Sequence, residues 1–170
     1  MKNSLFILIL VFIFKINFFN FGFAQEQFNF EVTEIEINEK GNKYKGLKRG
    51  TISTNDGVYI DADTFEFDKI TNILVAYGNV IIIDKKNDLK ILSEDITYLR
   101  NEEKIFTKTR SKAFSNDIYI DADSLVYDKN LNTLNANGNV KINDKVKKLI
   151  LKSDNITYFK DLGKFISQNR

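Results

Sequence analysis

The sequence predicts an all-β protein of antiparallel hairpins stacked as a sandwich, behind an N-terminal signal helix. Three observations predict it. Apolar and polar residues alternate at period two, with Leu134, Ala136, Gly138, Val140 and Ile142 on one side and Thr133, Asn135, Asn137, Asn139 and Lys141 on the other. Val, Ile, Thr, Tyr and Phe dominate these runs, the types that fit a pleated surface. The sequence also repeats itself at an offset of sixty residues.

The first element is a leader, Met1 to Ala24. Lys2 supplies a basic start, Leu5 to Phe14 an unbroken apolar stretch, and Gly22 and Ala24 small residues before Gln25. That is the layout of a secretory signal peptide cleaved after Ala24. The apolar stretch is short against the roughly 20 residues that a membrane span needs, and Lys15 interrupts it. The largely apolar run Ile16 to Phe23 keeps an uncleaved anchor open as the alternative. No Cys follows, which excludes lipoprotein processing.

The remainder, 25–170, is one domain in length, with two repeats at about 51–110 and 111–170. YIDAD at Tyr59–Asp63 returns at Tyr119–Asp123, and SEDITY at Ser93–Tyr98 returns as SDNITY at Ser153–Tyr158. From Gly57 onward, 23 of 54 aligned positions are identical, far above chance, so the halves arose by duplication. A weaker half-period of about thirty lies beneath, each unit reading as strand, polar turn, strand. DKITN, RNEEK, DKNLN and KDLGK are rich in turn-forming Asp, Asn, Gly and Lys.

Alternation assigns an inward face. In the first copy it holds Ile60, Ala62, Phe65, Phe67, Leu74, Ala76, Val80, Ile82, Leu89, Ile91, Ile96 and Tyr98. In the second it holds Ile120, Ala122, Leu125, Tyr127, Leu134, Ala136, Val140, Ile142, Leu149, Leu151, Ile156 and Tyr158. A sheet with one apolar face packs against another sheet or closes on itself. Small residues beside large ones fit either a closed interdigitated core or room for an apolar guest. The outward face of the first copy is also apolar, with Ile73, Val75, Tyr77, Ile81 and Ile83. Either a loop or the segment 28–52 covers it, or it is a contact patch.

Composition narrows the chemistry. The chain has no Cys and no His, which removes disulfides, thiol nucleophiles, His-ligated metals and Ser-His-Asp catalysis. Its 25 basic residues nearly balance 23 acidic ones, so nothing electrostatic points to nucleic acid. No phosphate-binding G-x-x-x-x-G-K-[ST] motif occurs. Asp61, Asp63, Asp121 and Asp123 invite a calcium or acid–base reading. They repeat with the scaffold, as turn and edge residues do, which favours a structural role. Lys40, Lys43, Lys45, Lys48 and Arg49, and Lys141, Lys145, Lys147 and Lys148, read as charged edges or as contacts for lipid phosphates.

The pattern A-D-x-[FL]-x-[FY]-D-K…L-x-A-x-G-N-V resembles the OstA-like family, periplasmic β-jellyroll proteins and domains of lipopolysaccharide transport. It is carried by Ala62-Asp63-Thr64-Phe65-Glu66-Phe67-Asp68-Lys69 with Leu74, Ala76, Gly78, Asn79 and Val80. The second set is Ala122-Asp123-Ser124-Leu125-Val126-Tyr127-Asp128-Lys129 with Leu134, Ala136, Gly138, Asn139 and Val140. The resemblance implies an open-ended jellyroll, and a non-enzymatic role in carrying or bridging lipopolysaccharide towards the outer membrane. It implies that the inward residues form a groove for lipid A acyl chains. It implies periplasmic location, alone or with the inner or outer membrane, and head-to-tail edge pairing with other jellyroll domains. The edge near Ile105 to Phe114, or that near Lys164 to Gln168, is expected to make this joint. No cofactor, metal or catalytic residue is implied. Free bridge protein and N-terminal domain of an outer-membrane assembly protein both remain open. So does a structural or adhesive secreted β-repeat protein that binds no lipid.

Overall fold

The computed structural model describes residues 28–167. The expected leader, its helix and its cleavage site lie outside them. Fifteen strands appear among the described residues: β1 Asn29–Val32, β2 Ile35–Asn38, β3 Lys43–Gly46, β4 Gly50–Ser53, β5 Val58–Ala62, β6 Thr64–Asp68, β7 Ile73–Asp84, β8 Leu89–Leu99, β9 Lys104–Phe106, β10 Ser111–Ser115, β11 Ile118–Ala122, β12 Ser124–Asp128, β13 Thr133–Asp144, β14 Leu149–Phe159 and β15 Lys164–Ser167. Every pairing is antiparallel. Short 3-10 turns at Glu39–Gly41, Arg100–Glu102 and Lys160–Leu162 are the only helical elements described.

The strands form two layers that share four long members. Sheet I runs β2-β3-β6-β7-β8-β9-β12-β13-β14-β15, and sheet II runs β1-β4-β5-β7-β8-β10-β11-β13-β14. Strand β7 pairs with β6 through Ile73–Tyr77 and with β5 through Ile81–Asp84, so one strand serves both layers. Strand β13 does the same with β12 and β11. The switch falls at a bulge in the long hairpins, between Tyr77 and Val80 and again between Asn137 and Val140. A bulge bends the strand and re-aims it, which turns a flat ladder into a folded sandwich. Strands β4–β9 recur as β10–β15 about sixty residues later, turn for turn.

The core lies between the layers. It is one continuous apolar cluster from Phe28 to Tyr158. Segment 28–52 does not cover the apolar outer face of the first copy. It forms β1–β4, which extend both sheets edge to edge. Tyr77 and Ile83 therefore stay exposed.

Candidate functional site

Register places the inward side chains in rows that cross all strands. In sheet I one row runs Ile37, Tyr44, Phe67, Leu74, Tyr98, Ile105, Tyr127, Leu134, Tyr158, Phe165, each directly opposite the next. In sheet II the facing row runs Phe30, Ile52, Ile60, Ile82, Ile91, Ala113, Ile120, Ile142, Leu151. Neither row is broken by a charge. Aromatic rings gather at one end, where Phe28 meets Phe67 at 5.0 Å and Tyr98 at 5.7 Å between centroids. Tyr158 stacks on Phe165 at 4.7 Å at the other end.

All the sequence-assigned groove residues face this interior. Ile60, Ala62, Phe65, Leu74, Ala76, Val80, Ile82, Ile91, Ile96 and Tyr98 are buried, as are Ile120, Ala122, Leu125, Tyr127, Leu134, Ala136, Val140, Ile142, Ile156 and Tyr158. Phe67 is partly buried and packs on the same cluster. They fill the space between the layers with one another, so a closed interdigitated core is the state seen here. Leu149, expected to point inward, is 37% exposed. The outer half of β14 pairs only with β13, so no neighbouring strand shields it.

Two boundaries close the interior. The first is a spine along the bulges. Gly78 and Asn79 have φ of 77° and 46°, and Gly138 and Asn139 have 74° and 47°. At each bulge an Asp stands against the glycine. Asp63 accepts from Asn79 Nδ2 at 2.9 Å and from Arg49 Nη1 at 2.6 Å, while Arg49 also bonds Asp61. Asp123 accepts from Asn139 Nδ2 at 2.6 Å and Arg110 Nη1 at 2.8 Å, and Arg110 reaches Asp121 at 2.8 Å. The Asn79 amide first, then Arg49, holds the Asp63 carboxyl below the usual carboxylate range. The Asp pairs therefore hold corners through arginine. Among the described residues no group of acidic side chains is placed to hold a metal ion.

The second boundary is a seam along the opposite rim, where turns of sheet I meet turns of sheet II. Lys129, after β12, bonds Asp56 in the β4–β5 turn. It also donates to Glu103 at 2.7 Å and to the Tyr98 hydroxyl at 3.2 Å. Arg100 donates to Tyr98 at 2.9 Å, bonds Glu103, and reaches Asp56 at 3.4 Å. Tyr127 donates to Asp84 at 2.9 Å across the layers. Lys160 reaches Ser115 and the Asp88 carbonyl, the latter at 3.2 Å. Lys147 Nζ donates to the Gly163 carbonyl at 2.8 Å. Burial drives the Tyr98 and Tyr127 hydroxyls up and the Lys160 ammonium down.

Sequence reading missed this seam. Glu103 aligns with Gly163 and Asp56 with Asn116, so these acids fall where the repeat is broken. Arg49 and Arg110 are offset by sixty-one residues rather than sixty, which hid their equivalence. The basic cluster at Lys43, Lys45 and Lys48 is neutralised by Glu39, Glu66 and Glu34.

The expected edge at Ile105–Phe114 is a correction. Strand β9 lies between β8 and β12, and β10 between β8 and β11, because the two copies join there. The free edges among the described residues are β1 and β2 at one end, and β15 and the outer half of β14 at the other. Ile35, Ile37, Leu149, Ile150 and Ile166 are exposed on them. No described helix is long and apolar enough to cross a membrane.

No curated protein matches the sequence. Among solved structures, the fold is similar to LptH of Pseudomonas aeruginosa, described as the LptA-homologous periplasmic component of the conserved lipopolysaccharide transport device. The TM-score is 0.60 at 14% identity, over 66% of this chain and 82% of that one. The model of the LptA/LptD N-terminal domain LPS transport proteins matches residues 59–164. With both bulges and most of each repeat inside that match, the chain belongs to the LptA/LptD N-terminal domain family of LPS transport proteins.

Proposed function

We propose that this protein carries lipopolysaccharide through the periplasm without catalysing a reaction, its two apolar rows receiving the acyl chains. The observation that carries the reading is the unbroken row on each sheet, running from one free edge to the other in a chain of this transport family. An acyl chain of twelve carbons exposed to water costs roughly 9–10 kcal/mol at about 0.8 kcal/mol per methylene. A track that replaces water with Ile, Leu, Phe and Tyr lowers that cost along its length. The rows end at free strands with unpaired backbone groups, which suit pairing with another jellyroll domain and would extend the track. End-to-end pairing of unlike edges yields rods rather than closed dimers. The leader, cleaved after Ala24, would deliver the chain to this compartment.

A photo-crosslinking residue tests the reading. At Ile96 or Ile142 it is expected to capture lipopolysaccharide, while Asn137 or Lys141 on the outer face yields none. The packed interior favours a second reading, a structural or adhesive β-repeat protein without a lipid ligand. Absence of crosslinks from both inward positions would decide for it.

A further inference from the structure

The interior is filled and laterally closed, so acyl chains enter only if the layers part. The two boundaries differ in kind. The spine is covalent, because β7, β8, β13 and β14 pass through it from one sheet to the other. Among the described residues each bond across the seam is donated by a side chain and joins segments apart in sequence. We propose, on the carrier reading above, that the seam is the door by which acyl chains pass between the sheets, with Asp56 and Lys129 as its latch.

The pairing across the seam supports a latch rather than a fixed strut. Closed, Lys129 bonds Asp56 across the seam and Glu103 on its own side, and Arg100 reaches the same two acids. Asp56 is the member on sheet II; the other three stand on sheet I. Parting the layers takes Asp56 away from Lys129 and Arg100. At the second repeat Lys160 loses both Ser115 and the Asp88 carbonyl. Opening thus releases one lysine per repeat from its bonds across the seam, at the place where an amphiphile with phosphates on its headgroup would enter tail first. Lys129 and Lys160 are point charges that suit such phosphates. The latch residues already line a surface cleft with Asp84, Lys86 and Asn130.

The absence of native Cys makes the test clean. Asp56→Cys with Lys129→Cys, in the full chain carrying the Ile96 photoprobe, is bridged by a cleavable bifunctional thiol reagent and incubated with purified lipopolysaccharide. Bridging is expected to slow capture at least tenfold, and reduction to restore it. A bridge within sheet II, between Ser53→Cys and Tyr59→Cys, which lie directly opposite, is expected to leave capture unchanged. Equal capture with the latch bridged overturns the door while leaving the carrier intact. Equal loss with the control bridge also overturns it. No capture by the unbridged protein overturns both readings. Without any bridge, Asp56→Asn frees the latch yet keeps the cations, and is expected to load several-fold faster than the parent. Lys129→Met frees it but removes a cation, and is expected to gain less. Equal gains would overturn the phosphate role.

Discussion

Gly78 and Gly138 show how narrow the tolerance is at the bulges. A Cβ on Gly78 would stand 2.5 Å from Asp63 Oδ2 and 2.9 Å from its Cβ, at a φ that L-residues rarely adopt. Gly78→Ala is therefore expected to cost about 2 kcal/mol or more, read as a lower urea midpoint. The buried tyrosines set the alkaline limit. Burial, followed by the nearby aspartates, raises Tyr98, Tyr127 and Tyr158. The unfolded chain releases these protons from about pH 10, the folded one later, so stability is retained below that pH and falls above it. Asp56 sets part of the acid limit. Burial pushes it up, but its bonds to Lys129 and Thr54 pull it lower still, to a net depression. Its contribution is present above about pH 4 and disappears as pH falls through the depressed value. Urea midpoints from pH 2 to 11 are expected to peak in between. In Asp56→Asn the acid side of that profile is expected to flatten.

Among the elements, alternation made the strands and their inward faces legible. Leu134, Ala136, Val140 and Ile142 lie in β13 and are buried as their spacing dictates. The sixty-residue repeat foretold the hairpin plan. What alternation cannot encode is the distance between facing layers, so it left Ile60 or Ile142 equally consistent with a slot and with a filled core. Nor does it encode which strands lie at an edge, since that depends on the joint between copies at β9 and β10. The latch was illegible for another reason. Asp56 and Lys129 are 73 residues apart and meet only where the β4–β5 turn of one layer faces the β12–β13 turn of the other. Ile142→Ala is expected to lose about 2–5 kcal/mol, since Ile142 is fully buried between Ile120 and Leu151, and thermal unfolding would show it.

For the whole molecule, the edges matter more than the core. Ile150 is 60% exposed on the half of β14 that lacks an outer neighbour, and Ile166 is exposed on β15. A lysine on an edge strand discourages pairing. If the ends join as proposed, Ile150→Lys with Ile166→Lys is expected to weaken self-association about tenfold in analytical ultracentrifugation, with the monomer still folded. Unchanged association would place the joint elsewhere.

The bulge recurs once per duplicated unit and always bends the hairpin the same way. Each unit adds four strands to either layer, roughly 19 Å at about 4.8 Å per strand, without changing the cross-section. Span thus scales with gene duplication as on a ruler. A third unit inserted after Arg110 would lengthen the stack while leaving its cross-section, and what fits it, as they are.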